Sequence, residues 1–220
     1  MTKVKFLFDK EKDLFNIWET CNKGSSWSGS KNISSSFMKI CKGKEFKECK
    51  KELENQRKSL YDSGLIEIFV EAIQKAWDRI NDKYFERLEN VMKSGFKFKK
   101  VDAYITTVGR CPYNSQEPWF MISFFGNILH TLKTCGHELM HIQFHNTYWN
   151  EIEKQIGKEK TADLKEALTV LLNLEFKDLW FVKDDGYERH KGLREFIEKE
   201  WEEKKDFDIL MEKCVRYFRK

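Results

Sequence analysis

The chain has 220 residues, with 40 basic and 36 acidic side chains interleaved along its length and a net charge of +4, which argues for a mixed, solvated surface and against a nucleic-acid partner. No run approaches the ~18 apolar residues of a membrane span, and the N-terminal stretch MTKVKFLFDKEKDLFNIW lacks the apolar core of a secretion signal, so no membrane partner and a cytoplasmic location are expected. Six cysteines without a C-x-x-C pair suit reduced thiols better than a zinc ribbon or a disulfide framework, while the 18 Phe and 7 Trp supply enough apolar bulk for one core, so residues 1–220 are expected to form a single domain.

The first 95 residues read mainly as helix, interrupted by the Gly/Ser-rich stretch Gly24 to Ser36, a loop whose Trp27 is expected to pack back on the body. From Gly64, the apolar residues Ile66, Phe69, Val70, Ile73, Trp77, Ile80, Tyr84, Leu88 and Val91 recur at spacings of three and four. They predict one long amphipathic helix ending at Gly95. Residues 96–220 then change character: FKFKKVDAYITTVG and WFMISFF read as strands on either side of a loop that holds both prolines. A histidine-bearing helix follows, then a helix around KTADLKEALTVLLNLEFKDLW, a turn at KDDG, and a charged helix from about His190 to the end. Periodicity alone therefore gives an α+β protein.

The chemistry concentrates in TCGHELMHIQFHNTYWN. His137 and His141 are four residues apart, so on a helix their imidazoles share a face and can reach one metal ion at about 2 Å each. Glu138 points beside that face, where its carboxylate can serve a water on the metal. A hydrolytic centre of this kind takes a third protein ligand and leaves one position open. His145 could supply it only by a strained reach, because it stands about 12 Å from His137 along a straight helix. Glu166 is the better candidate: it lies between Leu164 and Ala167 in the most apolar helix of the C-terminal half, after an interval long enough to turn the chain back. Asp163, Glu151 and Glu175 are the other acids within reach. His130 reads as a helix-start residue.

His137-Glu138-x-x-His141, followed by Glu166 in an EAL context, resembles the gluzincin metallopeptidases, the group that includes thermolysin. The resemblance covers roughly residues 100 to 180. It implies a mainly helical, zincin-like α+β domain, with a small antiparallel sheet preceding the H-E-x-x-H helix and WFMISFF as the edge strand along which an extended peptide pairs. It further implies Zn2+ as cofactor, His137, His141 and Glu166 as its ligands, and Glu138 as general base. Thermolysin-like sequences support a histidine with an Asp four residues after the ligand Glu. Here that position is Val170, which leaves Asn173 or Asp163 to give the support. The segment DDGYERHKGLREF offers Tyr187, His190 and Arg194, and the family arrangement implies Tyr187 or His190 as the donor to the oxyanion.

The expected function is a zinc metallopeptidase acting on a peptide or protein. Two rivals stay open: a helical interaction protein whose metal is structural or missing, with His145 or Cys135 closing the coordination shell, and a zincin-like regulator specific for one protein partner.

Overall fold

The computed structural model describes residues 2–23 and 33–219. Trp27 and most of the Gly/Ser-rich stretch lie outside them. The described residues form an α+β fold in which helices surround a four-stranded mixed sheet of order β1-β2-β4-β3.

Strand β1 (Lys3–Phe8) alternates exposed and buried side chains, a period of two that marks a strand at a place where the sequence reads as helix. It pairs in parallel with β2 (Lys100–Thr106), and β2 pairs in parallel with β4 (Trp119–Ser123). Only the two-residue β3 (Tyr113–Asn114) runs antiparallel, on β4. The sheet is thus mixed, and β4 is an interior strand, which corrects the expected antiparallel sheet with WFMISFF at its edge. The parallel β1–β2 pairing needs a long crossover, and five helices provide it: α1 (Lys10–Asn22), α2 (Ser35–Cys41), α3 (Phe46–Tyr61), α4 (Leu65–Asp78) and α5 (Asn81–Val91).

The helix expected over 64–95 is broken at Arg79–Ile80, between α4 and α5. Asn81 sits at the break, fully buried, where it accepts the Trp77 indole N–H at 2.9 Å and donates to the Thr2 carbonyl at 2.9 Å. Tying the break to the start of β1 satisfies an otherwise costly buried amide. Gln74 of α4 covers the open edge of β1, accepting from Phe6 N at 2.9 Å and donating to Val4 O at 3.1 Å.

After the sheet come α6 (Ile128–Thr147), α7 (Trp149–Ile156), α8 (Lys158–Ala167), a 3-10 turn at Leu168–Val170, the short α9 (Leu171–Glu175) and α10 (Lys177–Trp180), and then α11 (Lys191–Glu203) and α12 (Phe207–Arg219). The single C-terminal helix of the sequence reading is therefore two. Asp206 caps the second one, its carboxylate accepting from Asp208 N and Ile209 N at 3.1 and 3.2 Å. No helix among the described residues is long and apolar enough to cross a membrane.

The main core packs Val101, Ala103, Ile105, Phe120 and Ile122 of the sheet against α4, α5, α6 and the C-terminal helices. A smaller cluster joins α1, α2 and α3 through Leu14, Ile17, Phe37, Ile40, Leu53 and three cysteines, and it reaches Val108, just past the end of β2. That contact is reinforced by Asp13, wholly buried, which accepts from the Thr106 hydroxyl, Thr107 N, the Thr107 hydroxyl and the Tyr61 hydroxyl at 2.6–2.7 Å. Arg57 completes the junction by donating to Thr107 O at 2.8 Å. The three N-terminal helices thereby fix the start of the loop that leaves β2.

Candidate metal centre

Helix α6 follows β4 after a four-residue link and is capped by Asn127, whose side chain accepts from His130 N at 3.0 Å. His130 accordingly belongs to the first turn and is exposed. Further along, Gly136 lets α6 lie directly on Trp180: a Cβ there would meet the indole at 2.6 Å. The Gly136 carbonyl also accepts the buried Tyr84 hydroxyl at 2.6 Å. The helix is thus pinned at the residue preceding His137.

Helix α8 returns across α6 because Gly157, at φ 82°, reverses the chain after α7. This return brings Glu166 to the histidines. Its Oε2 lies 3.6 Å from His137 Nε2 and 3.3 Å from His141 Nε2, and the three ligand atoms fall within 4.8 Å of one another. Among the described residues no other group of three His, Cys, Asp or Glu side chains meets that condition. Two of these separations are long for hydrogen bonds, yet they match the roughly 3.3 Å edge of a tetrahedron built with metal–ligand bonds of about 2.0–2.1 Å. The donor set of two imidazole nitrogens and one carboxylate oxygen suits zinc.

The electrostatics point the same way. Burial pushes the Glu138 carboxyl up to about 7, a value at which it can both take and release a proton. Burial, aided by the Lys165 ammonium, drives His141 down to about 3, so its imidazole is neutral and offers a lone pair. Burial opposes the charge on His137 too, but Asp184 and then Glu166 outweigh it and raise the group to about 10. Burial likewise disfavours the Glu166 carboxylate, which the two imidazoles and Lys165 hold well below the usual carboxylate range. A protonated His137 between its two carboxylate neighbours thus meets the demand for positive charge that a cation would meet.

The histidine support comes from an unexpected residue. Asp184 Oδ2 accepts from His137 Nδ1 at 2.8 Å, fixing the ring so that Nε2 faces Glu166. Asn173 contributes one step further back, donating to Asp184 O at 2.8 Å and accepting from Asp184 N at 2.7 Å. Asp163 is not involved; it accepts from Arg189 at 2.8 Å and lies 3.1 Å from His190 Nε2. His141 differs from His137 in that its Nδ1 is buried without a hydrogen-bond partner among the described residues.

His137, His141 and Glu166 line a cavity of about 330 Å³ together with Glu138, Tyr187 and the loop Gly109–Tyr113. Tyr187 lines that cavity, whereas His190 is buried against Asp163 and does not line it. Its expected role as an oxyanion donor is corrected to a contact between α8 and the C-terminal segment. Arg194 is likewise buried away from the cavity, its guanidinium donating to the Thr169 hydroxyl at 2.8 Å and to the Asp184 carbonyl. The remaining acids stand elsewhere. Glu175 accepts from Trp201 and Lys205 at 2.8 and 2.7 Å, and Glu151 lines a separate groove between α7 and α12. His145 does not join the ligand set; its Nε2 is 2.8 Å from the Tyr113 hydroxyl and its ring stacks on Trp149. Cys135 is buried outside the ligand group as well.

No protein-family model, curated protein or solved structure matches this chain. Its own geometry is what bears on function.

Proposed function

We propose that the protein is a zinc-dependent metallopeptidase of gluzincin type, a hydrolase of peptide or protein substrates working in the cytoplasm. The observation that carries this reading is the convergence of His137 Nε2 and His141 Nε2 on Glu166 Oε2, at 3.6 and 3.3 Å, in a cavity that the Glu138 carboxyl also lines. His137, His141 and Glu166 would hold the zinc, which would supply Lewis acidity to polarise a carbonyl and lower the pKa of water. Glu138 takes the proton of the attacking water on its carboxylate and delivers it to the departing amine. Tyr187, at the cavity wall, donates a hydrogen bond from its hydroxyl to the oxygen on which charge develops. Asp184 keeps His137 in the tautomer whose Nε2 faces the cavity.

The strand order supports a modified version of the zincin arrangement. Since β4 is interior and β3 is the outer strand, an extended peptide would lie along the Gly109–Tyr113 segment rather than along WFMISFF.

The test is the metal content of the purified protein, measured by mass spectrometry for the unaltered chain and for His141→Ala, Glu166→Ala and His145→Ala. The reading expects about one zinc per chain, lost in the first two variants and kept in the third. Absence of zinc from the refilled, unaltered chain would reject it.

A further inference from the structure

The most unusual group beside the metal ligands is a buried ammonium. Lys165, whose side chain is 8 % exposed, donates to Glu166 Oε1 at 2.6 Å and to the Tyr113 hydroxyl at 3.0 Å, and lies 4.9 Å from the centre of the Tyr113 ring. The Tyr113 hydroxyl is in turn 2.8 Å from His145 Nε2, and His145 stacks on Trp149 with ring centres 4.1 Å apart and planes at 16°. A line of contacts therefore runs from the far end of α6 to the ligand carboxylate.

We infer that Lys165 is a positioning residue that confines Glu166 to one-oxygen ligation, reserving Oε1 for its own ammonium and leaving only Oε2 for the metal. The inference rests on the metal reading above. The two carboxylate oxygens have distinct partners: Oε2 faces both imidazoles at 3.3 and 3.6 Å, and Oε1 faces the ammonium. For Oε1 to turn to the metal, Lys165 must give up a short charge-assisted hydrogen bond while buried, with only the Tyr113 hydroxyl and ring left beside it among its contacts above. That exchange is unfavourable, so the carboxylate stays monodentate. A coordination position is kept open as a result.

The ammonium has a second effect. Its charge offsets that of the carboxylate, so the ligand set donates less negative charge than two imidazoles and a free carboxylate would. The cation is bound less tightly but keeps more of its Lewis acidity. Tyr113 and His145 serve the same end by holding the ammonium at Oε1. This gives His145 of α6 a function without making it a ligand.

The probe is cobalt(II), whose visible absorption is intense when four-coordinate and weak when five- or six-coordinate. The unaltered chain loaded with cobalt is expected to show the intense spectrum. Lys165→Met, which keeps the length of the side chain and removes its donors, is expected to retain one cobalt per chain while the absorption falls severalfold. An unchanged spectrum in Lys165→Met overturns the inference, and so does loss of the metal, which would make Lys165 a plain scaffold for Glu166. If that variant does not fold, X-ray absorption fine structure of the zinc-loaded, unaltered chain decides. Four light-atom neighbours are expected, and a five-coordinate shell with a two-oxygen carboxylate overturns the inference. A chain that binds neither cobalt nor zinc defeats the metal reading and this inference together, whereas normal binding with a bidentate Glu166 defeats the inference alone.

Discussion

Asp184 holds Nδ1 of His137 at 2.8 Å across 47 residues of chain, and much of the C-terminal region serves to keep that carboxylate in place. Thr169 donates to its Oδ1 at 3.0 Å, Arg194 approaches the same oxygen at 3.3 Å, and Lys133 stands 3.4 Å from Oδ2. Gly186, at φ 66°, is required here because a Cβ would lie 2.7 Å from the Arg194 guanidinium. Asp184→Asn keeps the volume and an acceptor for His137 but removes the charge. Zinc affinity is expected to fall about 10- to 100-fold, as for other residues that orient a ligand histidine. Competition with a chromophoric chelator measures it, and unchanged affinity would show that His137 is oriented without Asp184.

The histidine helix was legible in the sequence because its signal is local: a four-residue spacing on a helix places two imidazoles together whatever else the chain does. Glu166 was legible for a related reason, an acid set between apolar residues of the next helix. Asp184 was not. It lies in KDDG, whose composition says only that the chain turns, and its burial depends on Arg194, Thr169 and Asn173 arriving from other elements. Lys165 was hidden by the same logic, since a lysine is ordinarily solvated whatever helix carries it. The strand β1 was missed although Lys3 and Lys5 alternate with its buried Val4 and Phe6, because the alternation is short and its parallel partner begins more than ninety residues later.

Gly136 has a packing role that can be measured apart from metal binding. In Gly136→Ala the new methyl would fall 2.6 Å from Trp180 and 3.1 Å from Tyr84, both rigid and fully buried rings. Overpacking of this kind costs about 1–3 kcal/mol, against a helix-propensity gain for alanine of at most about 1 kcal/mol. A net loss is expected in urea denaturation of the metal-free protein. Trp180→Phe in the same chain should relieve part of it, and strict additivity of the two substitutions would place the strain elsewhere.

Asp13 joins the N-terminal helices to the cavity wall, so its removal should be felt at both. In Asp13→Ala, the hydroxyls of Tyr61, Thr106 and Thr107 and the amide of Thr107 lose their common acceptor, and the half-buried Arg57 loses a nearby counter-charge. Breaking a buried charged network from one side costs about 3–5 kcal/mol. Hydrogen exchange should show the Thr107 amide losing protection along with the Gly109–Tyr113 loop. Faster exchange confined to α1–α3 would mean that the cavity wall stands without them.

Glu138 separates metal binding from chemistry most cleanly. It lines the cavity beside the ligands but does not belong to the group of three converging atoms, so Glu138→Gln should leave the zinc content at that of the unaltered chain. The amide cannot take a proton from water, and proton transfer by a positioned carboxylate contributes about 10²- to 10⁴-fold. Hydrolysis of a peptide pool should therefore fall by at least two orders of magnitude, with kcat rather than KM carrying the loss. A variant that retains zinc and hydrolyses peptides at the original rate would remove Glu138 from the mechanism and move the search for the base to Tyr187 and the Gly109–Tyr113 loop. Loss of zinc in the same variant would instead mean that Glu138 takes part in holding the ion.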